Sequence, residues 1–542
     1  MATVKFPQFK NDKSVLKVEK GLTLLDFARM AEIQISADCN GTGICGKCIV
    51  RVSEGEENLN ELTLIEKSFN LKEKERLACQ AKVISDKSDI LLYIKNSGKY
   101  EILQSKFDSQ LSLSPSYFQK NGYVFKGETM VDTFKGKIYG LAIDIGTTTI
   151  VIDLVDMETG KVIKTYANSN PQISYGNDVI SRIEYTLVDN KSNGKYLSKK
   201  EQTTHLLTLK NLVVDFVNTS IKEFSKEEGK NISQYIYQVV LVGNPTMRNI
   251  FFGLDISSLG VIPYEAPDTS SIVSTPSQVG LDINKVATIY GGALIGGHIG
   301  SDVVADILVS GMYNKDALSL IIDIGTNGEI VLGNKKRMIS ASCAAGGAFE
   351  GASVSCGLGG IEGAIKEISI YDGRVGYTTI GNKKPVGVCG SGLIDLLAEF
   401  LDKNIMSKNA RIKKDFYITE DLRLTQDDIF KLITSKSAIK TGWEILLDYY
   451  PAKLEDIDKI YLSGGFGNYV NITNGKKIGL IPDVDERKII KIGNGSLQGA
   501  REMLISKERL KLSEEIASRV LHIKTNEIVK DFDYLLVSNM YF

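Results

Sequence analysis

A diverged internal duplication limits the folds open to this chain more than any other feature of its sequence. The segment LAIDIGTTTIVIDLVD, which contains Asp144 and Gly146, returns as LIIDIGTNGEIVLGN, which contains Asp323 and Gly325. Each copy has the pattern of a buried strand, a tight Asp-x-Gly-Thr turn and a second strand. The repeat predicts two lobes of similar architecture.

A second pair of segments supports the duplication. VVLVGNPTMRNIFFG around Gly243 and IYLSGGFGNY around Gly464 each predict a buried strand that ends in a glycine turn before a helix. The two members of this pair lie further apart than those of the first pair. We therefore expect the second lobe to contain insertions, between Lys366 and Asp427.

Length and charge narrow the class of protein. A chain of 542 residues exceeds what one hydrophobic core supports, so several domains are expected. The 65 basic and 66 acidic residues are interspersed, which gives no basic footprint for nucleic acid. The N-terminus is polar, and no run of 18 apolar residues occurs. These features predict a cytoplasmic protein that binds neither nucleic acid nor a membrane.

Four of the seven cysteines have the spacing of metal ligands. Cys39, Cys45, Cys48 and Cys79 form a C-x5-C-x2-C-x30-C pattern, and the loop between the first three is rich in glycine. Thiolates suit iron-sulfur clusters, and glycines let backbone amides approach the cluster sulfurs. A structural zinc site usually has two C-x2-C knuckles, whereas this sequence has one, so zinc is the less favoured alternative. The spacing resembles that of adrenodoxin-like [2Fe-2S] ferredoxins.

The other three cysteines, Cys343, Cys356 and Cys389, lie far apart among small residues. Such cysteines are usually buried and inert. The alternative is a second cluster shared between subunits, for which only Cys356 and Cys389 could supply a pair.

The region before the duplication predicts a small domain and a connector. Residues 1–97 read as short strands around a helix from Leu24 to Glu32 with Thr23 as its N-cap, followed by later strands that include Leu77 to Ile84. Residues 98–137 are rich in Ser, Lys, Gly and Asn without sustained periodicity, which predicts a linker.

The duplicated turns offer a way to bind phosphate without a P-loop, for which no G-x-x-x-x-G-K-[ST] motif is present. In DIGTTT, glycine lets the turn approach a phosphate, while Thr147, Thr148 and backbone amides can donate hydrogen bonds. Asp144 can hold Mg²⁺ through water. One such turn is weak evidence because many hairpins contain Asp and Gly, but two turns with a late strand-Gly-Gly are strong.

Residues 138–542 resemble the superfamily of actin, sugar kinases and heat-shock chaperone ATPases. Phosphate motif one matches residues 144–149, phosphate motif two matches 323–328, and the adenosine motif matches 463–467. The resemblance implies a multidomain chain: an α+β ferredoxin-like domain of β-grasp type (1–97), a linker (98–137) and a duplicated two-lobe α/β actin-like ATPase (lobe I, 138–316; lobe II, 317–542). It implies catalytic roles for Asp144 and Asp323. The implied residues of the ATP-Mg²⁺ site are Gly146, Thr147, Thr148, Gly325, Thr326, Asn327, Gly464, Gly465 and Phe466.

The general base for hydrolysis is harder to place. Glu329 follows the second turn and is one candidate, but a charge on the surface of a strand is an equally good interpretation.

A [2Fe-2S] domain fused to such an ATPase is similar to the ATP-dependent reductive activators of corrinoid proteins. YGNDVISRIEY, GALIGGHIGSDVVAD, PVGVCGSGLID and GNGSLQGA add to that likeness. It implies one-electron transfer from the cluster to Co(II), which gives Co(I) for methyl transfer. The implied partners are a corrinoid (cobalamin-type) protein of a methyltransferase system and an external low-potential electron donor, and a homodimer is left open.

Within that resemblance, the loop GVCGSG from Gly387 to Gly392 suggests a contact with the corrinoid. We expect it to lead into a helix near Leu393 and to leave Ser391 exposed, where its hydroxyl perturbs or ligates cobalt. The plainer interpretation is that Ser391 is a helix N-cap.

Two other functions stay open on the sequence. One is a small-molecule kinase with a fused redox-sensing ferredoxin domain, which requires a substrate pocket between the lobes. The other is an activator of a radical dehydratase, which would place its cluster within the ATPase lobes. The four N-terminal cysteines disfavour the second.

Overall fold

The computed structural model describes residues 2–9, 13–33, 35, 37, 41–43, 46–69, 71–94, 112–189, 195–351, 353–371, 373–465 and 469–542. The chain divides into two compact units. The first comprises residues 1–98 and 170–213, and the second comprises residues 99–169 and 214–542. The N-terminal region therefore shares a unit with a segment of predicted lobe I, which the sequence did not indicate.

The N-terminal region is a mixed five-stranded sheet, in the order β2-β1-β5-β3-β4, packed on a helix. Thr23 caps this helix as predicted, in a capping box with Asp26. The elements are Thr3–Lys5 (β1), Val15–Lys17 (β2), Leu24–Met30 (α1), Ile49–Glu54 (β3), Leu64–Ser68 (α2), Glu75–Leu77 (β4) and Ile90–Ile94 (β5).

The predicted strand from Leu77 to Ile84 is wrong beyond its first residue. The chain leaves β4 at Leu77 and turns at once, because the amides of Gln80 and Ala81 both donate to the Leu77 carbonyl, at 2.8 and 2.9 Å. The apolar residues that follow are buried without forming a continuous strand. The turn places Cys79 beside the start of β3.

The prediction of a linker is wrong for part of residues 98–137. The segment holds a three-stranded antiparallel sheet made of Tyr117–Lys120 (β6), Tyr123–Lys126 (β7) and Thr129–Thr133 (β8). Only Tyr117 and Val124 of these strands are buried, so the sequence lacks the alternating pattern of a half-buried sheet. Tyr117 anchors the sheet by a hydrogen bond from its hydroxyl to the Val286 carbonyl at 2.9 Å.

The first copy of the duplicated segment forms a six-stranded sheet in the order β11-β10-β9-β14-β16-β15. The first three strands are an antiparallel meander, and β14 and β16 continue the sheet in parallel. The elements of this region are Tyr139–Ile145 (β9), Thr149–Asp156 (β10), Val162–Ser169 (β11), Val179–Leu187 (α3), Val188–Asp189 (β12), Lys195–Tyr196 (β13), Lys199–Glu227 (α4), Ile236–Gly243 (β14), Pro245–Phe252 (α5), Ile272–Ser274 (β15), Pro276–Val279 (α6), Thr288–Gly291 (β16) and Ser301–Ser310 (α7).

The second copy has the order β27-β19-β18-β17-β25-β26, in which β19-β18-β17-β25-β26 repeats the meander and the two parallel strands of the first sheet. The sixth strand differs, since β27 pairs parallel with β19 whereas β15 pairs antiparallel with β16 at the other edge. The predicted duplication is therefore confirmed. The elements are Leu318–Ile324 (β17), Gly328–Gly333 (β18), Met338–Cys343 (β19), Ala364–Tyr371 (β20), Arg374–Thr379 (β21), Gly387–Val388 (β22), Gly390–Asp402 (α8), Phe416–Tyr417 (β23), Arg423–Leu424 (β24), Gln426–Tyr449 (α9), Ile457–Ser463 (β25), Ile472–Lys477 (α10), Ile489–Gly493 (β26), Gly495–Ile505 (α11), Lys507–Arg519 (α12), Val520–His522 (β27), Thr525–Ile528 (α13) and Phe532–Ser538 (α14).

Each copy contains the same close backbone contact, and this contact explains why a glycine occurs at the equivalent position in both. A Cβ on Gly243 would lie 2.7 Å from the carbonyl oxygen of Ile145, and a Cβ on Gly464 would lie 2.4 Å from that of Ile324. Gly243 ends β14 and Gly464 directly follows β25, and each lies against the strand that leads into an Asp-x-Gly-Thr turn. A side chain at either position would push the turn out of place.

The insertion predicted between Lys366 and Asp427 corresponds to extra elements of the second copy. A three-stranded sheet β21-β20-β22, helix α8 and the β23-β24 hairpin lie between β19 and α9. Close packing explains the small residues at the start of α8. A Cβ on Gly392 would lie 2.7 Å from the Ile365 carbonyl oxygen. The glycine lets α8 pack directly on β20.

Helices α7 and α11 cross at very short range in the second unit. A Cβ on Gly499 of α11 would lie 2.5 Å from the Cβ of Ala305 in α7. Within the described ranges, no helix has both the length and the apolar character needed to cross a membrane.

Candidate functional site

The two Asp-x-Gly-Thr turns meet in one cleft of the second unit. Asp144 near the end of β9 and Asp323 near the end of β17 both line it. The structure brings together every predicted residue of the ATP site that it describes: Asp144, Gly146, Thr147, Thr148, Asp323, Gly325, Thr326, Asn327, Gly464 and Gly465. Phe466 lies outside the described residues. The binding roles of these residues remain predictions.

Glycine is required in the first turn by close packing. A Cβ on Gly146 would lie 2.5 Å from the Thr149 carbonyl oxygen. Gly465 of the adenosine motif differs, since a Cβ there would meet no atom of the described residues within 4 Å. Among the residues that the structure describes, none fills the space beside this glycine at the cleft.

The hydroxyls of the two turns lie in direct contact with each other. Thr148 Oγ1 and Thr326 Oγ1 are 2.8 Å apart. Both hydroxyls also hydrogen-bond to Oε2 of Glu350, with the Thr148 bond at 3.0 Å. Glu350 thus joins the two duplicated turns through one carboxylate oxygen, and nothing in the sequence indicated this role.

Six carboxyl groups gather around this point. Besides Asp144 and Asp323, the structure places Asp302, Glu329 and Glu350 in the cleft lining, and Asp306 directly behind them. Burial raises the pKa of Asp144 to about 7, an effect that a hydrogen bond from Asn494 opposes. Burial also raises the pKa of Asp323 to about 7 and that of Asp302 to about 6.

No Lys or Arg occurs among the described residues that line the cleft. Oxygen-rich clusters of this kind suit Mg²⁺, which binds through one or two carboxylates and retained waters. The repulsion among these carboxyl groups would fall when such a cation binds. The donor set therefore fits the metal that the motifs predict.

Asp306 was missed by sequence reasoning. It lies on α7, is fully buried, and accepts a hydrogen bond from Ser463 Oγ at 2.8 Å. Burial, followed by repulsion from Asp323, holds its pKa well above the usual range. Asp306 thereby ties α7 to the adenosine motif.

Two asparagines were also missed. The side-chain amide of Asn494 donates to Asp144 Oδ2 at 2.8 Å, and that of Asn244 donates to Thr147 Oγ1 at 3.0 Å. Each is also an N-cap, of α11 and α5 respectively. Asp302, Asp306 and Asn494 all lie in segments that the family resemblance had singled out, so the signal was present, but it did not give their roles.

Glu329 is a cleft residue, and its interpretation as a strand-surface charge is wrong. Its side chain is 7% exposed on β18, since this strand is covered on both faces. Burial raises its pKa well above the usual range, and Asp302 and Asp323 add to the effect. Whether it acts as the general base remains a prediction.

The cleft lining also has an apolar part, formed by Phe349, Leu358, Ile380, Cys389 and Tyr469. The loop that leads into α8 contributes to this part. That loop, GVCGSG, was expected to face a docked corrinoid, whereas the structure places its Cys389 and Gly390 in the nucleotide cleft.

The prediction that Ser391 is exposed is wrong. Helix α8 begins at Gly390, so Ser391 lies in its first turn and is fully buried. Its hydroxyl donates to the Lys366 carbonyl at 2.7 Å. A side chain held in this way has no surface to offer a macrocycle, and we do not retain the cobalt-ligating role.

Two of the four predicted cluster ligands are described. The sulfur atoms of Cys48 and Cys79 are 3.3 Å apart, and both residues are buried. Gln80 lies within hydrogen-bonding distance of the Cys79 sulfur, at 3.6 Å. Cys39 and Cys45 lie outside the described residues. The adjacent thiols and the left-handed backbone at Gly41, Gly43 and Gly46 fit a loop that wraps a cluster.

The three remaining cysteines, Cys343, Cys356 and Cys389, are buried as expected. Burial raises the pKa of Cys343 to about 12 and also raises that of Cys389. Because Cys356 and Cys389 are buried within the chain, their thiols are not presented at a surface where two subunits could share a cluster.

Comparison with known proteins agrees with this layout. A model described as the C-terminal, ASKHA domain of RACo matches residues 317–542, and the RACo middle region matches 139–315. A 2Fe-2S iron-sulfur cluster binding domain matches residues 9–83, which contain all four predicted ligands. The chain belongs to the RACo family. Both the fold class and the family resemblance inferred from the sequence are thereby confirmed.

Two of the relatives extend over nearly the whole chain, and a third covers most of it. A corrinoid activation enzyme, RamQ, from Eubacterium limosum is 28% identical, with 99% of each chain covered. A [Co(II) methylated amine-specific corrinoid protein] reductase from Methanosarcina barkeri is 24% identical over 73% of this chain and 76% of its own. The solved structure of a reductive activator for a corrinoid, iron-sulfur protein has a TM-score of 0.73 and 28% identity, and it covers 100% of this chain and 98% of its own.

Proposed function

We propose that this protein uses ATP to drive the one-electron reduction of Co(II) to Co(I) in a corrinoid protein of a methyltransferase system. One observation carries the proposal: a cysteine set for a [2Fe-2S] cluster and a duplicated two-turn nucleotide cleft occur in one chain. Full-length similarity to proteins named as corrinoid activators supports it. The protein would act in the cytoplasm and would take electrons from an external low-potential donor.

We propose the following division of labour among the domains. Residues 1–97 form the electron-transfer domain, in which Cys39, Cys45, Cys48 and Cys79 hold the cluster. Residues 138–316 and 317–542 form the two lobes of the ATPase. A bound [2Fe-2S] cluster would supply one electron at a potential of about −400 mV.

In the cleft, the chain's own groups have distinct tasks. Thr147, Thr148 and Thr326 would donate hydroxyl hydrogen bonds to the phosphates, together with the turn amides. Asp144 and Asp323 would hold Mg²⁺ through its waters. The apolar part of the lining, with Leu358 and Tyr469, would pack against the nucleobase next to the open face of Gly465.

ATP is needed because the reduction of Co(II) in such systems is unfavourable for a ferredoxin-type donor. Each 59 mV by which the reduction potential of Co(II) lies below that of the donor lowers the equilibrium constant for one-electron transfer by about a factor of ten. The protein can overcome this difference in potential only if one of its conformations binds the partner more tightly in the state that accepts an electron. ATP would then favour that conformation. No phosphoryl acceptor is required, in contrast to a kinase.

The decisive measurement is the rise of Co(I) absorbance in a mixture of this protein, reductant, Mg-ATP and a Co(II) corrinoid protein from the same organism. Reduction should require ATP hydrolysis and should stop when Cys48→Ala replaces wild type. A protein that hydrolyses ATP but reduces no corrinoid protein would contradict the proposal. Transfer of the γ-phosphate to a small molecule would favour the kinase alternative.

A further inference from the structure

The hydroxyls best placed to receive a phosphate are already engaged within the protein. Thr148 and Thr326 come from different turns of the duplication, and their Oγ1 atoms lie 2.8 Å apart. Both lie within hydrogen-bonding distance of the same oxygen, Glu350 Oε2. One carboxyl oxygen therefore occupies the point where the two turns converge.

Glu350 is not part of either turn. It follows β19 in a glycine-rich stretch, AAGGAFEGAS, and its own backbone forms a tight turn in which the Glu350 amide donates to the Gly347 carbonyl at 3.1 Å. Phe349 beside it is 1% exposed and anchors the turn in the core. The Glu350 side chain is thus carried on an element separate from the two turns that carry the threonines.

A carboxylate oxygen and a phosphate oxygen accept the same hydrogen bonds from a hydroxyl. They cannot occupy one position, and the described lining of the cleft carries no Lys or Arg that could hold a carboxyl group and a phosphate side by side. A phosphate that reaches both threonines must therefore displace Glu350.

We propose that Glu350 is an internal gate, a carboxylate that occupies the phosphate position of the nucleotide-free cleft and leaves it when nucleotide binds. The proposal rests on the proposed nucleotide function of this cleft and adds a residue that opposes binding. Displacement of Glu350 would free the turn at residues 347–351 only in the loaded state. The position of this turn would then differ between the nucleotide-free and the nucleotide-bound cleft.

The gate has a consequence for affinity that a catalytic carboxylate would not have. Removal of Glu350 should tighten binding of Mg-ATP, by about tenfold if the two hydroxyl bonds to the carboxylate are worth a typical charged hydrogen bond. A general base at this position would instead give unchanged affinity and slow hydrolysis. Measuring both the Kd of Mg-ATP and the rate of hydrolysis therefore distinguishes a gate from a general base.

The experiment measures the Kd of Mg-ATP by calorimetry for wild type, Glu350→Gln and Glu350→Ala, with the cluster in place. The control is Glu362→Gln, an exposed glutamate of the same insertion that lies outside the cleft lining. Both Glu350 variants should bind more tightly than wild type, and the control should match wild type. Equal or weaker binding by both Glu350 variants overturns the gate, whereas wild type that binds no nucleotide overturns the proposed function itself.

Hydrogen exchange on wild-type protein provides a second test that needs no variant. Addition of Mg-ATP should increase exchange at residues 347–351 while it protects the turns at 144–149 and 323–328. Protection of residues 347–351 together with both turns would mean that Glu350 stays in place beside the nucleotide, and it would overturn the gate even if the variants fail to fold.

Discussion

The side-chain amide of Asn494, at the start of α11, donates a hydrogen bond to Asp144 Oδ2 at 2.8 Å. The two residues are 350 positions apart in the sequence. The bond connects the helix that crosses α7 with the first phosphate turn. The orientation of the Asp144 carboxylate therefore depends on α11, and a movement of α11 would be transmitted to the proposed metal site.

We predict that Asn494→Ser weakens Mg-ATP binding by about tenfold, because Asp144 loses the donor that fixes one of its oxygens. Serine is chosen because Asn494 is also the N-cap of α11, where alanine would cost about 1 kcal/mol of stability for an unrelated reason. Calorimetric titration with Mg-ATP checks the prediction. Asn471→Ser, at the N-cap of α10 and outside the cleft lining, is the matched control. Equal affinity of Asn494→Ser and wild type would contradict the proposed link.

Separate substitutions of Asp144 and Asp323 by Asn should each reduce ATP hydrolysis by about 100-fold or more, since a neutral amide is a poor partner for the hydrated Mg²⁺. The visible spectrum of the cluster should not change, because its predicted ligands lie on the N-terminal domain. Phosphate release and absorbance measured on the same sample check both statements. Hydrolysis at the wild-type rate by either variant would show that the metal lies elsewhere.

The acidic cleft also predicts how stability changes with pH. The pKa values of Asp144 and Asp323 are raised to about 7 and that of Asp302 to about 6, from a usual value near 3.8. Between about pH 4 and pH 7 the folded protein thus holds protons that the unfolded chain has released. The contribution of these groups to stability is full at low pH and is lost as pH rises through the folded-state values.

Thermal melts of nucleotide-free protein at pH 5.5 and pH 7.5 test this sign. Asp323→Asn should lose less stability across that interval than wild type does, because one of the raised groups is gone. Mg²⁺ should stabilise wild type more at pH 7.5, where the carboxylates are ionised. If wild type without Mg²⁺ lost less stability than Asp323→Asn between pH 5.5 and pH 7.5, the raised pKa of Asp323 would be contradicted.

The paired glycines show how much of this site the sequence contained. Gly243 and Gly464 were recognised as equivalent from their patterns alone, and both close on a carbonyl oxygen of the neighbouring strand. Repeats preserve backbone constraints of this kind, and a constraint that only glycine satisfies is visible in one sequence. The equivalence of these two strand ends, and with it the two similar lobes, could therefore be predicted.

Glu350 and Ser391 show what the sequence did not contain. Glu350 reaches the threonines from an insertion with no counterpart in lobe I, so no repeat pointed to it. For Ser391, small residues indicated a close approach but not its partner. The partner is β20 of the same lobe, since Gly392 lies against the Ile365 carbonyl. A pattern of glycines indicates that another part of the chain approaches closely, but the fold is needed to identify which part.

The cluster prediction is the most direct to check. Iron and sulfide analysis should give two of each per chain, and dithionite-reduced protein should give the EPR signal of one [2Fe-2S] centre. Cys48→Ala and Cys79→Ala should each abolish it, because the two sulfurs are 3.3 Å apart and belong to one site. Cys356→Ala should retain it. Four irons per chain, or a centre that survives Cys48→Ala, would contradict the assignment.

The last prediction concerns how the N-terminal domain is held within the first unit. Arg29 on α1 donates from Nε to the Ser174 carbonyl at 3.0 Å, and its guanidinium lies 4.6 Å from the centre of the Tyr175 ring. Ser174 Oγ in turn lies 3.4 Å from the Ile35 carbonyl, four residues before the first predicted cluster ligand. Arg29 therefore fixes the domain through the segment at 170–175.

We expect Arg29→Ala to raise amide exchange at residues 171–187 by about tenfold or more, because a charged hydrogen bond and a cation–π contact are both lost. The melting of the cluster absorbance should not change, since Arg29 adds nothing to the core around Cys48 and Cys79. Lys17→Ala, an exposed cation on β2, is the control. Unchanged exchange in Arg29→Ala would mean that other contacts hold the domain. Increased exchange with faster corrinoid reduction would mean that release from Ser174 and Tyr175 limits electron delivery.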